Sequence, residues 1–451
     1  MHIETPPPVS GFFKEAFSDP RTFVNIVALG SPADPRSSER YLHWDKLRHL
    51  EPPSGLTAEE WWWRIKILER ERSMRSLPLL DKRGRQFKYG LPDLLLRSLH
   101  YVDKHCAGEV AMDEIVTSEG DARQRYLVNS LMEEAIRSSQ LEGATTSRRE
   151  AKELLRTGRK PKDRSEQMIL NNYRGLQFMR EEMREELTPD AVLKLHQILT
   201  DGTLGNPDAA GRLQRPNDER VAVYDRDGGR RLHQPPPAEE LPERLRRLCD
   251  FANEGDDGKD FVHPVIRAIL LHFGLAYDHP FEDGNGRTAR ILFFWSMRRN
   301  GYWMAEYLSI STILRQAPAQ YARAFLETET DEGDTTYFLI HQLQVIERAI
   351  KQMWQYLQRK TREVQEIEGL LHGAEGFNRR QLEVLNDAVR HPDASYTFSG
   401  HATSHRVTHE TARSDLLSLV RRGFLTQRRV GREYSFEVPP DLPERLRESD
   451  R

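Results

Sequence analysis

His279-Pro-Phe-Glu-Asp-Gly-Asn-Gly-Arg-Thr-Ala-Arg290 is the stretch of this 451-residue sequence that decides its fold. The segment is polar and glycine-rich, and it lies between two apolar runs, Val265 to Ala276 and Ile291 to Met297. Each run is long enough to form part of a helix that is buried on most of its circumference. We therefore predict a polar loop held between two core helices.

The loop also has the features of a phosphate-binding turn. Asp283-Gly-Asn-Gly286 contains residues that tolerate positive φ, and it leads into a helix N-terminus, where free N–H groups and the helix dipole favour an anion. Arg287 and Arg290 are three residues apart, so they share a helix face and can hold phosphate oxygens. The Asp283 carboxylate suits Mg²⁺, which binds through one or two carboxylates plus substrate phosphates. His279 carries the one side chain here whose unperturbed pKa is near neutrality.

Each of these signals alone is more often structural, because a His before Pro is commonly a loop residue and Gly-Asn-Gly is commonly only a turn. The Gly-x-x-x-x-Gly-Lys-Ser/Thr spacing is absent, which disfavours P-loop NTPase chemistry. Taken together, residues 279–290 resemble the Fic motif, His-x-Phe-x-Asp/Glu-Gly-Asn-Gly-Arg-x-x-Arg, with every defining position present. The resemblance implies a mainly α fold with a Fic helical core, placed at residues 111–365.

The resemblance to the Fic (Fido) family further implies a protein adenylyltransferase that moves AMP from ATP to a Tyr, Ser or Thr hydroxyl of a target protein. His279 would be the general base and Asp283 would hold Mg²⁺. The implied ATP-binding residues are Gly284, Asn285, Gly286, Arg287 and Arg290, with Tyr321 lining the adenine pocket.

A second motif ends a helical stripe that includes Leu127 and Leu131. Ser138-x-x-x-Glu142-Gly143 could be only a solvated helix end. It resembles the Ser/Thr-x-x-x-Glu-Gly/Asn inhibitory motif of Fic proteins, which places an inhibitory helix near residues 125–143. By that resemblance Glu142 would pair with Arg290, and an arginine paired in a partly desolvated cleft cannot also grip the γ-phosphate. Ser138 and Glu142 are therefore predicted regulatory residues.

Residues 211–237 have the pattern of short strands and turns, unlike the helical patterns around them. Val221 to Tyr224, Asp227-Gly-Gly229 and Arg231 to His233 read as a small hairpin closed by a glycine-rich turn. It could be a simple surface hairpin. In the Fic proteins that this chain resembles, the corresponding flap covers the active site and pairs with the target segment that bears the acceptor hydroxyl.

Residues 1–110 form an N-terminal α+β region, with helices predicted at Tyr41 to Leu50 and Ala58 to Arg72 and a short hairpin at Leu77 to Tyr89. Trp61-Trp-Trp63 lies in the second helix. Three consecutive tryptophans are not expected to face one core, so at least one is predicted at an interface, against the next domain or against a partner.

The C-terminal part begins with a helix predicted from Phe338 through Arg362, followed by a hinge at Glu363 to Glu375. Residues 376–440 resemble a winged helix-turn-helix, with Thr426 to Val438 as the wing and its turn at Gly431. Arginines outnumber acidic residues in this module, which suits DNA phosphates for residues 404–438. Winged helices also dock proteins, so both uses stay open.

Composition sets wider limits. With 37% hydrophobic and 30% charged residues the chain reads as a globular protein of two to four domains, and its net charge of −3 argues against a protein that coats polyanions along its whole length. Cys106 and Cys249 have no metal or redox spacing, which predicts a reducing cytoplasm. A signal peptide or a membrane span is not expected, because no segment has the required apolar length.

Several functional alternatives remain at this stage. The same site could remove AMP or transfer another phosphate-containing group, or the chain could be a nucleotide-sensing DNA-binding regulator. Self-modification and a homodimer are further alternatives that the sequence leaves open.

Overall fold

The computed structural model describes residues 3–18, 21, 40–53, 55–70, 73–107, 120–183, 186–224, 229–255, 261–373, 376–391, 394–430 and 433–449. The chain divides into two compact units, Met1–Val110 with Gln124–Ile350, and Ala111–Arg123 with Lys351–Arg451. The predicted boundary near residue 110 therefore does not separate two units, because the N-terminal region packs together with the helices that carry the site.

Helices dominate the described residues, and this confirms the predicted mainly α fold. The first unit contains α1 (Val9–Ser18), α2 (Trp44–Leu47), α3 (Ala58–Arg64), α4 (Asp93–Cys106), α5 (Gly120–Leu141), α6 (Arg148–Thr157), α7 (Arg164–Glu181), α8 (Pro189–Thr200), α9 (Leu241–Asn253), α10 (Pro264–Asp278), α11 (Asn285–Arg299), α12 (Ile310–Gln316), α13 (Pro318–Thr330) and the start of α14 (Thr336–Gly373). Its two hairpins are β1 (Arg75–Leu80) with β2 (Gln86–Tyr89), and β3 (Val223–Tyr224) with β4 (Arg231–His233), both antiparallel.

The two central helices, α10 and α11, are buried along most of their length, as predicted. Every residue from Val265 to Leu275 is buried, and so is every residue from Thr288 to Met297. Pro264 begins α10 at a position where a missing N–H costs nothing. Burying an aliphatic or aromatic side chain stabilises the fold by about 1.5–3 kcal/mol, so this pair is a firm support for the loop between them.

The three tryptophans of α3 correct an expectation. Trp61, Trp62 and Trp63 are each 1–2% exposed and belong to one cluster that also holds Phe12 and Trp44. Trp62 meets Trp44 edge to face at 6.1 Å between ring centroids, and Trp63 donates from Nε1 to Pro8 O at 3.1 Å. The prediction that they cannot share one core is wrong, because the N-terminal segment folds back over them.

One helix prediction in the N-terminal region was too long, and a second contains a change of helix type that was not predicted; residues 71–72 of the second lie outside the described residues. The helix expected at Tyr41 to Leu50 is only Trp44–Leu47, and the one expected at Ala58 to Arg72 is α3 followed by a π-helix at Ile65–Arg70. Lys66 and Arg70 on that π-helix are buried and pair with Asp331, at 2.9 and 3.9 Å. Long-range ion pairs of this kind leave no mark in the local sequence.

The second unit has the order of elements predicted for a winged helix-turn-helix. After α14 come α15 (Arg379–Arg390), β5 (Ser395–Tyr396), α16 (Phe398–His405), α17 (His409–Arg421), β6 (Thr426–Val430), β7 (Glu433–Glu437) and α18 (Leu442–Ser449). The strands form an antiparallel sheet in the order β5-β7-β6 over a core that includes Leu385, Leu416 and Phe436. The predicted wing turn at Gly431 lies outside the described residues.

The predicted hinge at Glu363 to Glu375 is corrected by α14, which continues as one helix through Gly373. Residues 374–375 are not described. Among the helices that are described, none is long and apolar enough to cross a membrane.

Candidate active site

The loop between α10 and α11 is fixed from within. His279 ends α10 in the left-handed region (φ 46°), and Gly284 begins α11 with φ 85°. Inside the loop, the Asn285 amide accepts from Phe281 N at 2.9 Å and donates to Phe281 O at 2.8 Å. Phe281 is completely buried. The Asn285 side chain is thus committed to holding the loop, and only its backbone N–H is oriented for a ligand at the helix N-terminus.

His196, which the sequence reading missed, supports this loop from α8. Its ring stacks on Phe281 at 3.8 Å between centroids, Nδ1 accepts from Gly211 N at 3.0 Å, and Nε2 lies 2.9 Å from Asp283 O. Because the carbonyl can only accept, the proton must be on Nε2 and the ring is neutral. Burial lowers the pKa of His196 to about 4, which keeps it so. A histidine within an apolar helical pattern gives no sequence signal of this role.

Arg287 is a completely buried guanidinium with unused donors. Its Nη1 donates to Leu199 O at 2.9 Å, and its Nη2 lies 3.5 Å from Asp283 Oδ1, beyond good hydrogen-bond geometry. Among the described residues its Nε and Nη2 have no hydrogen-bond partner. Burial lowers the pKa of Arg287 despite the nearby Asp283. A buried cation with free donors is well suited to an oxyanion.

Arg290 is engaged by the predicted inhibitory motif. Its Nε donates to Ser138 Oγ at 2.9 Å, and its Nη2 donates to Glu142 Oε1 at 2.7 Å. The Glu142 carboxylate lies directly over Gly286, since a Cβ added to that glycine would collide with Glu142 Oε1. Glu142 therefore occupies the space above the turn and also holds the arginine that faces it.

The helix that leads to Glu142, α5, is held in place by hydrogen bonds between Glu134 and the start of α12. Glu134 and Ser138 are four residues apart and share a face of α5, and Glu142 follows its last residue, Leu141. The buried Glu134 carboxylate accepts from Ser309 Oγ at 3.0 Å and from Ser311 N at 3.2 Å, at the start of α12. Burial raises the pKa of Glu134, although the bonds from Ser311 oppose this. These bonds fix the register that brings Glu142 to Arg290.

Asp283, the predicted Mg²⁺ ligand, is bonded at both oxygens. Its Oδ1 accepts from Gly284 N at 2.6 Å, and its Oδ2 lies 3.3 Å from Arg164 Nη2. Arg164 is itself held by a bond from Nε to Thr203 O at 2.8 Å. In the part of the chain that the structure describes, no group of three or more His, Cys, Asp or Glu side chains could hold a metal ion. A cation at Asp283 would need most of its ligands from a bound nucleotide and water.

A cavity of about 480 Å³ opens beside this loop. Five predicted site residues line it: Glu142, His279, Gly286, Arg290 and Tyr321. Ser138, Asp283, Gly284, Asn285 and Arg287 are not among its lining residues. The cavity also takes Val223, Tyr224, Leu232 and His233 from the flap, so the hairpin and the loop share one site.

Tyr321 is tied into the wall of this cavity. Its hydroxyl lies 2.8 Å from His272 Nε2 on α10, and its ring packs on Phe325 and Phe338. Burial lowers the pKa of His272 to about 3 and raises that of Tyr321. The tyrosine therefore presents an aromatic surface to the cavity while its hydroxyl is already bonded.

His279 lies at the cavity edge and is half-buried. Its Nδ1 faces Ala276 O at 3.4 Å, which places a proton on Nδ1 and leaves Nε2 as the acceptor. Burial, with His233 and Arg220 nearby, lowers the pKa of His279 to about 4, while Ala276 O and Glu142 act in the opposite direction. The ring is neutral at physiological pH.

The predicted flap hairpin is present, with Val223 paired to His233 and Tyr224 paired to Arg231. Its turn, residues 225–228, lies outside the described residues. Tyr224 is 55% exposed at the hairpin edge. The strands pair at two positions only among the described residues, so the β3–β4 pairing uses few of the backbone N–H and C=O groups of the two arms.

Comparison with known proteins agrees with this geometry. Residues 186–297 match the Fic/DOC family. Over 120 residues the chain is 34% identical to a protein adenylyltransferase Fic from Nematostella vectensis, covering 26% of this chain and 24% of that protein. It is 35% identical over 120 residues to the protein adenylyltransferase fic-1 of Caenorhabditis elegans, covering 26% and 20%. The chain thus spans a quarter or less of the length of these curated relatives.

A solved structure extends the likeness of fold. The crystal structure of a Fic family protein from Desulfovibrio desulfuricans aligns with a TM-score of 0.50 at 15% identity, covering 78% of this chain and 98% of that one. The sequence match includes the loop from His279 to Arg290 but not Glu142 or Tyr321. Residues 186–297, which carry this loop, are therefore the part of the chain that is similar to the Fic/DOC family.

Proposed function

We propose that the chain is a protein adenylyltransferase that transfers AMP from ATP to a hydroxyl of a target protein, and that Glu142 inhibits it. The observation that carries this proposal is that His279, Gly286 and Arg290 open onto one cavity, with Glu142 seated over the same turn. A neutral imidazole and a cationic phosphate-binding turn on one cavity are what a transfer from a nucleotide requires.

The phosphates would lie on the backbone N–H groups of Asn285 and Gly286 at the N-terminus of α11, next to Gly284, whose own N–H is bonded to Asp283 Oδ1. The unpartnered donors of Arg287 supply a buried positive charge behind the turn. Arg290 would hold the γ-phosphate once Glu142 leaves it. Magnesium, held by Asp283 and the phosphates, would neutralise charge that builds up on the leaving pyrophosphate.

His279 would take the proton from the target hydroxyl at Nε2 as that oxygen attacks the α-phosphorus and pyrophosphate departs. A bound triphosphate adds negative charge next to the ring, which raises the pKa of His279 from about 4 towards neutrality. That is the range in which a general base is most effective. Tyr321 would pack its ring against the adenine.

The target segment would lie along the flap as an added strand and form main-chain hydrogen bonds with flap N–H and C=O groups that the β3–β4 pairing does not use. Main-chain pairing sets the register of a peptide while it reads little of its sequence. The exposed Tyr224 at the hairpin edge can contact such a segment.

The test is intact-mass and peptide mass spectrometry after incubation with ATP and Mg²⁺. Glu142→Gly should acquire AMP itself or add AMP to a protein in a cell extract, and Glu142→Gly/His279→Ala should not. If neither variant produces an AMP adduct, adenylyl transfer is the wrong reaction. Release of AMP from a pre-modified protein would then be the next activity to assay.

We also propose that residues 404–438 bind DNA. Six exposed arginines lie before α17, on it, just after it and on β6, and they outnumber the exposed Glu410 of α17: Arg406, Arg413, Arg421, Arg422, Arg428 and Arg429. Asp415 does not offset them, because it is buried and bonded to Arg380, Asn378 and His401. A fluorescence anisotropy titration with duplex DNA at two salt concentrations tests this, and binding that is independent of salt would contradict it.

A further inference from the structure

The last carbonyl groups of α10, next to the candidate base, are bonded by side chains from the flap. His233 Nε2 lies 2.7 Å from Tyr277 O. Arg220 donates from Nη2 to Asp278 O at 2.9 Å and from Nη1 to His279 O at 3.2 Å. Since a helix leaves its final carbonyls without intrahelical partners, two residues on opposite arms of the flap act as a cap for this helix.

Both capping side chains are themselves held in place. Arg220 precedes β3 and also donates to Pro236 O at 2.9 Å and to the Gln214 side chain. His233 is the last residue of β4, is 8% exposed, and has Nδ1 at 2.7 Å from Glu329 Oε1. The cap therefore links the flap to α10 and α13, through part-buried bonds from the Arg220 guanidinium, through a buried bond from His233 to Tyr277 O, and through the contact of His233 with Glu329; bonds from a charged donor such as guanidinium are stronger than neutral ones.

The cap matters for His279 because little else orients its ring. The backbone of this residue is in the left-handed region, which costs a non-glycine residue roughly 1–2 kcal/mol. Among the described residues its imidazole makes one long contact, from Nδ1 to Ala276 O at 3.4 Å. The direction of the ring thus depends on the backbone that Arg220 and His233 hold.

The cap also sets the charges around the base. Arg220 faces the ring as a cation from the flap, and Glu142 faces it as an anion from the end of α5. Behind the flap, Glu329 from α13 pairs with His233 and with Lys82 at 3.1 Å. Cations disfavour the protonated imidazole, so the cap favours the neutral form that can accept a proton.

We propose that Arg220 and His233 are positioning residues that couple the flap to the base, so that the segment on which a target docks also orients His279 for proton transfer. This inference rests on the proposed adenylyl transfer. A target strand that orders the flap would strengthen the cap, and the base would be best oriented when an acceptor is present.

The kinetic test uses Arg220→Met in the full-length Glu142→Gly protein, with Arg246→Met as the matched control. Arg246 is exposed on α9 and, within the described residues, pairs with Glu243 and Asp250 of the same helix. We expect Arg220→Met to lower kcat by about 10- to 100-fold and to leave the ATP dissociation constant unchanged. The acid limb of the kcat profile should move to higher pH, because loss of a cation raises the pKa of His279.

Two conservative variants separate charge from geometry. Arg220→Lys keeps the charge, but its donors all lie on one nitrogen and cannot span the four acceptors that the guanidinium bonds. The acid limb should therefore return to its position in the parent while kcat stays low. His233→Gln keeps a donor for Tyr277 O and leaves the Arg220 bonds in place, so kcat should fall less than in Arg220→Met. If Arg220→Met matches Arg246→Met in both kcat and acid limb, the coupling is refuted.

An NMR titration of labelled histidines gives a readout that needs no activity. The His279 pKa should rise in Arg220→Met and stay unchanged in Arg246→Met, and an equal value in both variants would overturn the inference. Absence of AMP transfer in the Glu142→Gly parent, with its flap intact, would instead count against the proposed function, and the titration would still decide the role of the cap.

Discussion

Replacing Glu142 by Gly should tighten ATP binding by an amount that the structure allows us to work out. The Glu142 carboxylate bonds Arg290 at 2.7 Å, with Arg290 only 2% exposed and Glu142 29% exposed. A hydrogen bond between charged groups in such a setting contributes about 1.5–3 kcal/mol. Because 1.4 kcal/mol is a factor of ten, freeing Arg290 for a phosphate should lower the ATP dissociation constant by about 10- to 100-fold.

The assay is calorimetric titration of Mg-ATP in a His279→Ala background, where no turnover complicates the binding. Glu142→Gln keeps the bulk over Gly286 and removes the charge, so it should give a smaller gain than glycine. Glu133→Gln, on the same helix but paired with Arg137 and Arg148, should give none. Equal dissociation constants for the parent and Glu142→Gly would refute the competition between this carboxylate and a phosphate.

Further predictions concern the metal, the loop and the second unit. Arg164→Ala should tighten Mn²⁺ binding to the ATP complex about two- to fivefold, measured by electron paramagnetic resonance, because an exposed ion pair with Asp283 is worth up to about 1 kcal/mol; weaker binding would contradict this. Asn285→Ala should lower the free energy of unfolding, measured by urea denaturation, by about 2–4 kcal/mol, since it leaves the buried Phe281 backbone N–H and C=O unpaired. An unchanged urea midpoint would contradict a role of the Asn285 side chain in holding the loop. Arg413→Ala should reduce the salt dependence of DNA binding by about one phosphate contact and leave AMP transfer unchanged, whereas loss of both would show that the units are not separable.

The loop and the two helices around it were predictable because their signals are local. Apolar runs on either side of residues 279–290 predict buried helices, and the turn residues Asp283 to Gly286 tolerate positive φ, which the structure has at Gly284. The spacing of Ser138 and Glu142 likewise predicts one helix face. The helices of the second unit were predictable for the same reason, because apolar periodicity and turn residues are local features of the sequence.

The supports of the site could not be predicted, because they depend on contacts between distant residues. His196 is 87 residues from Asp283, and Arg220 is 59 residues from the carbonyl of His279 that it bonds. Neither has a neighbour in sequence that marks it as functional. The buried tryptophans of α3 show the same limit, because the segment that covers them comes from the first eighteen residues.

Protein labelling with α-labelled and γ-labelled ATP tests the central claim most directly. Wild type, Glu142→Gly and Glu142→Gly/His279→Ala would each be incubated with either label and with a cell extract as the source of targets. We predict label from the α-position alone, raised in Glu142→Gly and lost when His279 is replaced. Label from the γ-position, or α-label that persists without His279, would contradict adenylyl transfer by this site.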